Sequence, residues 1–113
     1  MNAQGIFDKV CSHLLKQNAR STAVGGGSCC YRSYQGLMCA VGCLISDSEY
    51  CSEMEGESAT MLLENFPQVQ HLAPHVNLLQ ALQRVHDCNE PRDWPEALRW
   101  VAQKFNLTFT EPE

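Results

Sequence analysis

The sequence predicts a mostly helical α+β fold in a single small domain, with a short β-hairpin and a C-terminal antiparallel helix pair. Three observations carry this. Apolar residues recur at three- and four-residue intervals over residues 3–18 and over two stretches of the last third. In "SCCYRSYQGLMC", cysteines and tyrosines flank "SYQG", whose glycine suits a tight turn. At 113 residues the chain can bury roughly two-thirds of its unfolded surface, so residues 1–113 need only one core.

The elements follow in order. Ala3, Ile6, Phe7, Val10, Cys11, Leu14 and Leu15 fall on one helical face, with Asp8, Lys9, Lys16 and Gln17 opposite. This helix should end between Asn18 and Arg20, because three glycines in a row open a Gly-rich loop over residues 21–28. A hairpin is expected near residues 29–38. The run "LMCAVGCLI" after it is apolar throughout, so residues 39–45 read equally as buried helix or buried strand. Ser46 with Glu49 and Ser52 with Glu55 have capping-box spacing and predict short acidic helices, and Ser58 offers another N-cap before "ATMLLENF". Pro74 suits the first turn of a helix whose buried side is Leu78, Leu79, Leu82, Val85 and His86, ended by Asn89 and Pro91. Asp93 and Glu96 then start a last helix with Trp94, Ala97, Leu98, Val101 and Phe105 on one face and Lys104 in its final turn.

Composition narrows the function classes. A hydrophobic fraction of 44% and a charged fraction of 19% are ordinary for a globular protein, and no segment has the roughly 18 apolar residues of a membrane span. The N-terminal stretch lacks the basic start and continuous apolar region of a secretory signal. Seven cysteines are an odd number, which together with that N-terminus predicts reduced thiols and a cytoplasmic setting. The net charge of −5 is segregated: no lysine or arginine lies between Arg32 and Arg84, while Asp47, Glu49, Glu53, Glu55, Glu57 and Glu64 do. No basic footprint for direct nucleic-acid binding is present.

Cys39 and Cys43 would lie one turn apart on a helix, a spacing that can offer two thiolates to a metal. A structural zinc needs four ligands, and Cys29, Cys30, Cys51, His86 and Cys88 show no repeated spacing from which to draw the second pair. Core packing is the simpler reading, since free cysteine behaves as a small hydrophobe. Cys39 or Cys43 with His86 and Asp87 would also make a nucleophile, base and orienting acid, but no cysteine-protease signature surrounds either thiol. "VGGGSCC" lacks the Gly-Lys-Ser/Thr of a phosphate loop and follows a helix, not a strand. "YRSY" carries two tyrosines and one arginine, a minimal stacking platform for single-stranded nucleic acid beside an acidic neighbour.

The acidic segment, residues 46–57, has two readings. Its carboxylates are a solvated face, or Asp47, Glu49, Glu53, Glu55 and Glu57 steer a basic partner toward the chain. The segments "YRSYQGLMCAVGCLISDSEY", "LLQALQRVHD" and "WPEALRWVAQKFNL" resemble a group of small uncharacterised proteins encoded by bacteriophages and prophages. The resemblance spans residues 30–107 and implies a cytoplasmic accessory role on a host protein, with no catalytic residues to carry over. The function expected is therefore a non-enzymatic protein-binding module that modulates host nucleic-acid or defence machinery through its acidic surface, without cofactor, membrane or direct nucleic-acid contact. Two other classes stand beside it: a metal protein or small thiol enzyme using Cys39, Cys43 and His86, and a homo-oligomer.

Overall fold

The computed structural model describes residues 1–23, 28–33 and 35–110. The glycines of "VGGGS" and the second tyrosine of "YRSY" lie outside the described residues. Among the described residues four α-helices form the fold: α1 Ala3–Gln17, α2 Ala59–Asn65, α3 Val76–Cys88 and α4 Trp94–Lys104. Short 3-10 turns link them, at Gly42–Leu44, Ser52–Met54, Pro67–His75 and Pro91–Asp93.

Local chemistry sets the helix limits. Asn2 caps α1 by accepting from the Gly5 amide at 2.8 Å, and Asn18 ends it in the left-handed conformation with its amide on Leu14 O. Ser58 Oγ accepts from the Met61 amide at the start of α2. In α3 the buried residues are Leu78, Leu79, Leu82, Val85 and His86, the face expected from periodicity. Pro74 lies two residues before α3, inside the preceding 3-10 turn. Asp93 makes no capping bond to α4.

The core lies where α3 meets α1, α2 and α4, with Phe7, Val10, Leu14, Leu62, Leu79, Leu82, Trp94 and Leu98 shut off from solvent. Each such side chain contributes about 1.5–3 kcal/mol by leaving water. The two ends of the described chain meet there. The Gln4 side-chain amide pairs with both backbone groups of Thr108, and the Phe7 and Phe109 rings meet edge-on at 5.9 Å.

The α+β expectation is overturned: among the described residues there is no sheet. The hairpin near residues 29–38 reduces to one isolated bridge, Arg32 with Met38, around a turn in which Gly36 has φ 79°, and a second isolated bridge pairs Cys29 with Thr22 upstream. The reason lies in how the backbone is satisfied. Strand backbone needs partners for its amides and carbonyls, and here side chains supply them. Glu55 accepts from the Tyr31 and Arg32 amides at 2.9 and 3.1 Å. The Gln17 amide, shaped like a peptide group, donates to Met38 O and accepts from Met38 N.

Residues 39–45 form neither long helix nor strand. The Cys43 amide donates to Cys39 O, one turn of helix that tightens into Gly42–Leu44. Gly42 is pressed against the Tyr31 carbonyl so closely that a Cβ would stand 2.0 Å from it. The acidic helix expected from Ser46 is a single turn in which Glu49 reaches back to the Ser46 amide, half of a capping box. Among the described residues no helix is long and apolar enough to cross a membrane.

Candidate functional site

Spacing on α3 sets the centre of the site. Gln83, His86 and Asp87 stand at i, i+3 and i+4, so all three project toward the irregular segment that follows α1. Gln83 and Asp87, together with Ser28–Tyr31, Cys39 and residues 56–59, border a cleft of about 370 Å³, and His86 lies buried behind them. Ligand atoms of Cys29, His86 and Asp87 lie within 4.8 Å of one another, the one such group of three among the described residues.

His86 is fully buried, and both ring nitrogens are engaged. The Ser21 amide donates to Nε2 at 2.9 Å, so Nε2 carries the lone pair and the proton resides on Nδ1. Nδ1–H then donates to Asp87 Oδ1 at 2.7 Å. Gln83 Nε2 donates to the same oxygen at 3.0 Å, while Gln83 Oε1 accepts from the Val41 amide. Burial opposes the charge on Asp87, but hydrogen bonds from His86, Cys29 and Gln83 outweigh it and hold the carboxyl below its usual range. The Cys29 thiol is pushed up to about 11, by burial first and then by the charge of Asp87 and the hydrogen bond to it.

These states limit the chemistry. A general base needs a free lone pair beside the nucleophile, and the Ser21 amide holds the one on Nε2. A metal on Nδ1 would drive its proton to Nε2, against that same amide, so the group does not fit a cation without moving Ser21. A thiol titrating near 11 is protonated at neutral pH and is a poor nucleophile. The cluster joins α3 to the segments around Ser21, Cys29 and Val41.

Sequence reasoning brought Cys39 and Cys43 to His86. In the structure both thiols are packed, and of the two only Cys39 reaches the cleft. Cys39 is buried against Gly42, with its thiol pushed up by desolvation, and it borders the cleft beside Gln83 and Asp87. Cys43 donates to Ala40 O, and burial pushes its thiol up to about 12 despite the charge of Lys9. Among the described residues neither joins a group of three ligand atoms. Cys29 was one of five candidates for a second ligand pair, which no repeated spacing singled out; Ser21 and Gln83 were not expected at the site, and only Gln83, on the His86 and Asp87 face of α3, left a readable signal.

The acidic residues divide by role. Glu55 points inward and, besides the two amides, accepts from the Tyr50 hydroxyl at 2.6 Å. Arg32 ties down the same loop, donating to Ile45 O at 2.6 Å, pairing with Asp47 at 2.7 Å and lying 4.7 Å over the Tyr50 ring. The hydrogen bond from the Ser46 amide is the main reason the Glu49 carboxyl lies below its ordinary range. Asp47, with 97% of its side chain exposed, and Glu53 face solvent, and Glu57 borders the cleft.

The fold and site thus define a small helical domain whose irregular segment is held by side chains from its helices. In comparison with known proteins, no family model, no curated protein and no solved structure matches the chain.

Proposed function

We propose that the chain is a non-enzymatic protein-binding module that presents its acidic loop, residues 46–57, to a basic protein surface. The observation that carries this is the anchoring of the loop. Glu55 accepts three hydrogen bonds from residues 31, 32 and 50, and Arg32 clamps Ile45 and Asp47. A loop held in this way loses little conformational entropy on binding, which favours affinity. With no lysine or arginine between residues 33 and 83, the negative field is offset mainly where Arg32 pairs with Asp47, and it steers cationic surfaces inward. The pinned tautomer of His86 and the protonated thiol of Cys29 weigh against the enzyme and metal readings. The resemblance over residues 30–107 to phage and prophage proteins adds the partner class: a host protein of the nucleic-acid or defence machinery.

The test is capture of a partner from bacterial lysate, followed by titration against the double variant Glu53→Gln/Glu57→Gln. Binding should weaken about tenfold or more and lose part of its salt dependence. Unchanged affinity and unchanged salt slope would overturn the reading.

A further inference from the structure

Trp100 is 68% exposed on α4, the largest apolar side chain left in water among the described residues. It forms a wall shared by two grooves of opposite charge. One, of about 200 Å³, is lined by Ala81, Arg84, Val85, Val101 and Lys104. The other, of about 410 Å³, is lined by Asn89, Asp93, Glu96 and Ala97.

We propose that this face is a self-complementary docking surface whose occupant is a second copy of the chain, bound about a twofold axis at Trp100. Glu96, Trp100 and Lys104 recur every four residues and share one stripe of α4. When two such helices run antiparallel about Trp100, the residue four before it meets the residue four after it on the other copy. Glu96 therefore faces Lys104 of the second copy, and the pair occurs twice. The same rotation lays the positive groove of one copy on the negative groove of the other, the arrangement an isologous interface requires. Within one chain Glu96 and Lys104 are two turns apart, about 12 Å along the axis. Among the described residues neither forms an ion pair. The two indoles cover each other at the centre, where aromatic anchors contribute most. One indole pair and two exposed ion pairs make a modest contact, so the dimer is concentration-dependent, with Kd on the order of 10–100 μM. This surface is separate from the acidic loop and does not rest on its role.

Sedimentation equilibrium of the full chain from about 5 to 500 μM tests the proposal, with circular dichroism confirming that each variant folds. The parent chain should dimerise across that range, and Trp100→Ala should stay monomeric. Glu96→Lys and Lys104→Glu should each raise Kd about tenfold by opposing like charges across the axis. An equimolar mixture of those two variants should associate again, because each supplies the sign the other lacks at both contacts. A parent chain monomeric throughout, a dimer unaffected by Trp100→Ala, or no recovery on mixing would each overturn the proposal.

Discussion

The His86 ring stacks on Trp94, with centroids 5.7 Å apart and planes 25° from parallel, so the edge of the polar cluster is also the contact between α3 and α4. One ring face serves the core while the two nitrogens serve Ser21 and Asp87. Replacing His86 by leucine keeps most of the volume but strands the buried Ser21 amide. The expected loss is about 2 kcal/mol, read from urea unfolding followed by tryptophan fluorescence.

Gly42→Ala should be far more damaging than its single methyl group suggests. The new Cβ would sit 2.0 Å from the Tyr31 carbonyl oxygen, a backbone atom that cannot rotate away. Overpacking of this kind costs about 3 kcal/mol or more, so thermal denaturation should show a drop of at least 10 °C for a chain of this size. A melting point within two degrees of the parent would contradict the close approach.

Glu55 and Glu53 should behave as different kinds of residue although two positions separate them. Glu55→Ala leaves the Tyr31 and Arg32 amides and the Tyr50 hydroxyl without their acceptor, at about 2–3 kcal/mol. Glu53→Gln, on the solvent side, should stay within about 0.5 kcal/mol. Denaturant midpoints of the two variants measured side by side decide it.

Thiol labelling at neutral pH should single out Cys88, which is exposed. Burial pushes Cys11 and Cys43 up to about 12 and Cys29 to about 11, so little reactive thiolate exists at those sites. Mass spectrometry after brief alkylation should find one dominant adduct, and fast labelling of Cys29 would restore the case for a thiol enzyme.

Acid should weaken the fold through Asp87. Its folded pKa is below the unfolded value, so its stabilising contribution is complete above the unfolded value near 4 and is lost as pH falls through the folded one. Asp87→Asn should flatten that acid limb while leaving the stability at neutral pH lower than that of the parent, because Asn accepts the Nδ1 hydrogen bond without charge. Unfolding free energies between about pH 2 and 6 measure both effects.

Much of this could be read before the structure. The face of α3 is legible in the sequence residue for residue, and that of α1 is too except that Ala3 and Leu15 at its margins are only partly buried, because an amphipathic helix repeats its burial every 3.6 residues. The hairpin was misread for a physical reason: tyrosine and cysteine near a glycine turn look like strand, but strand pairing depends on a distant backbone. Here Glu55 and Gln17 stood in for that partner, and a side chain acting in place of a strand has no periodic signature. His86 and Asp87 were legible as neighbours. Cys29 could not be singled out from the other candidate thiols, since its approach to His86 and Asp87 depends on the pairing of Cys29 with Thr22 and of Ser21 with His86, which no local pattern announces.

The meeting of Gln4 with Thr108 and of Phe7 with Phe109 has a consequence for the order of events on the ribosome. Helix α1 is made before residues 108 and 109, yet part of its apolar face finds its cover only in them. At a synthesis rate of about 5–20 residues per second, α1 waits for several seconds with Phe7 lacking its ring partner. The seam therefore closes only once Phe109 has been made, and a chain that stalls before Thr108 presents it incomplete to the quality-control machinery of the cell.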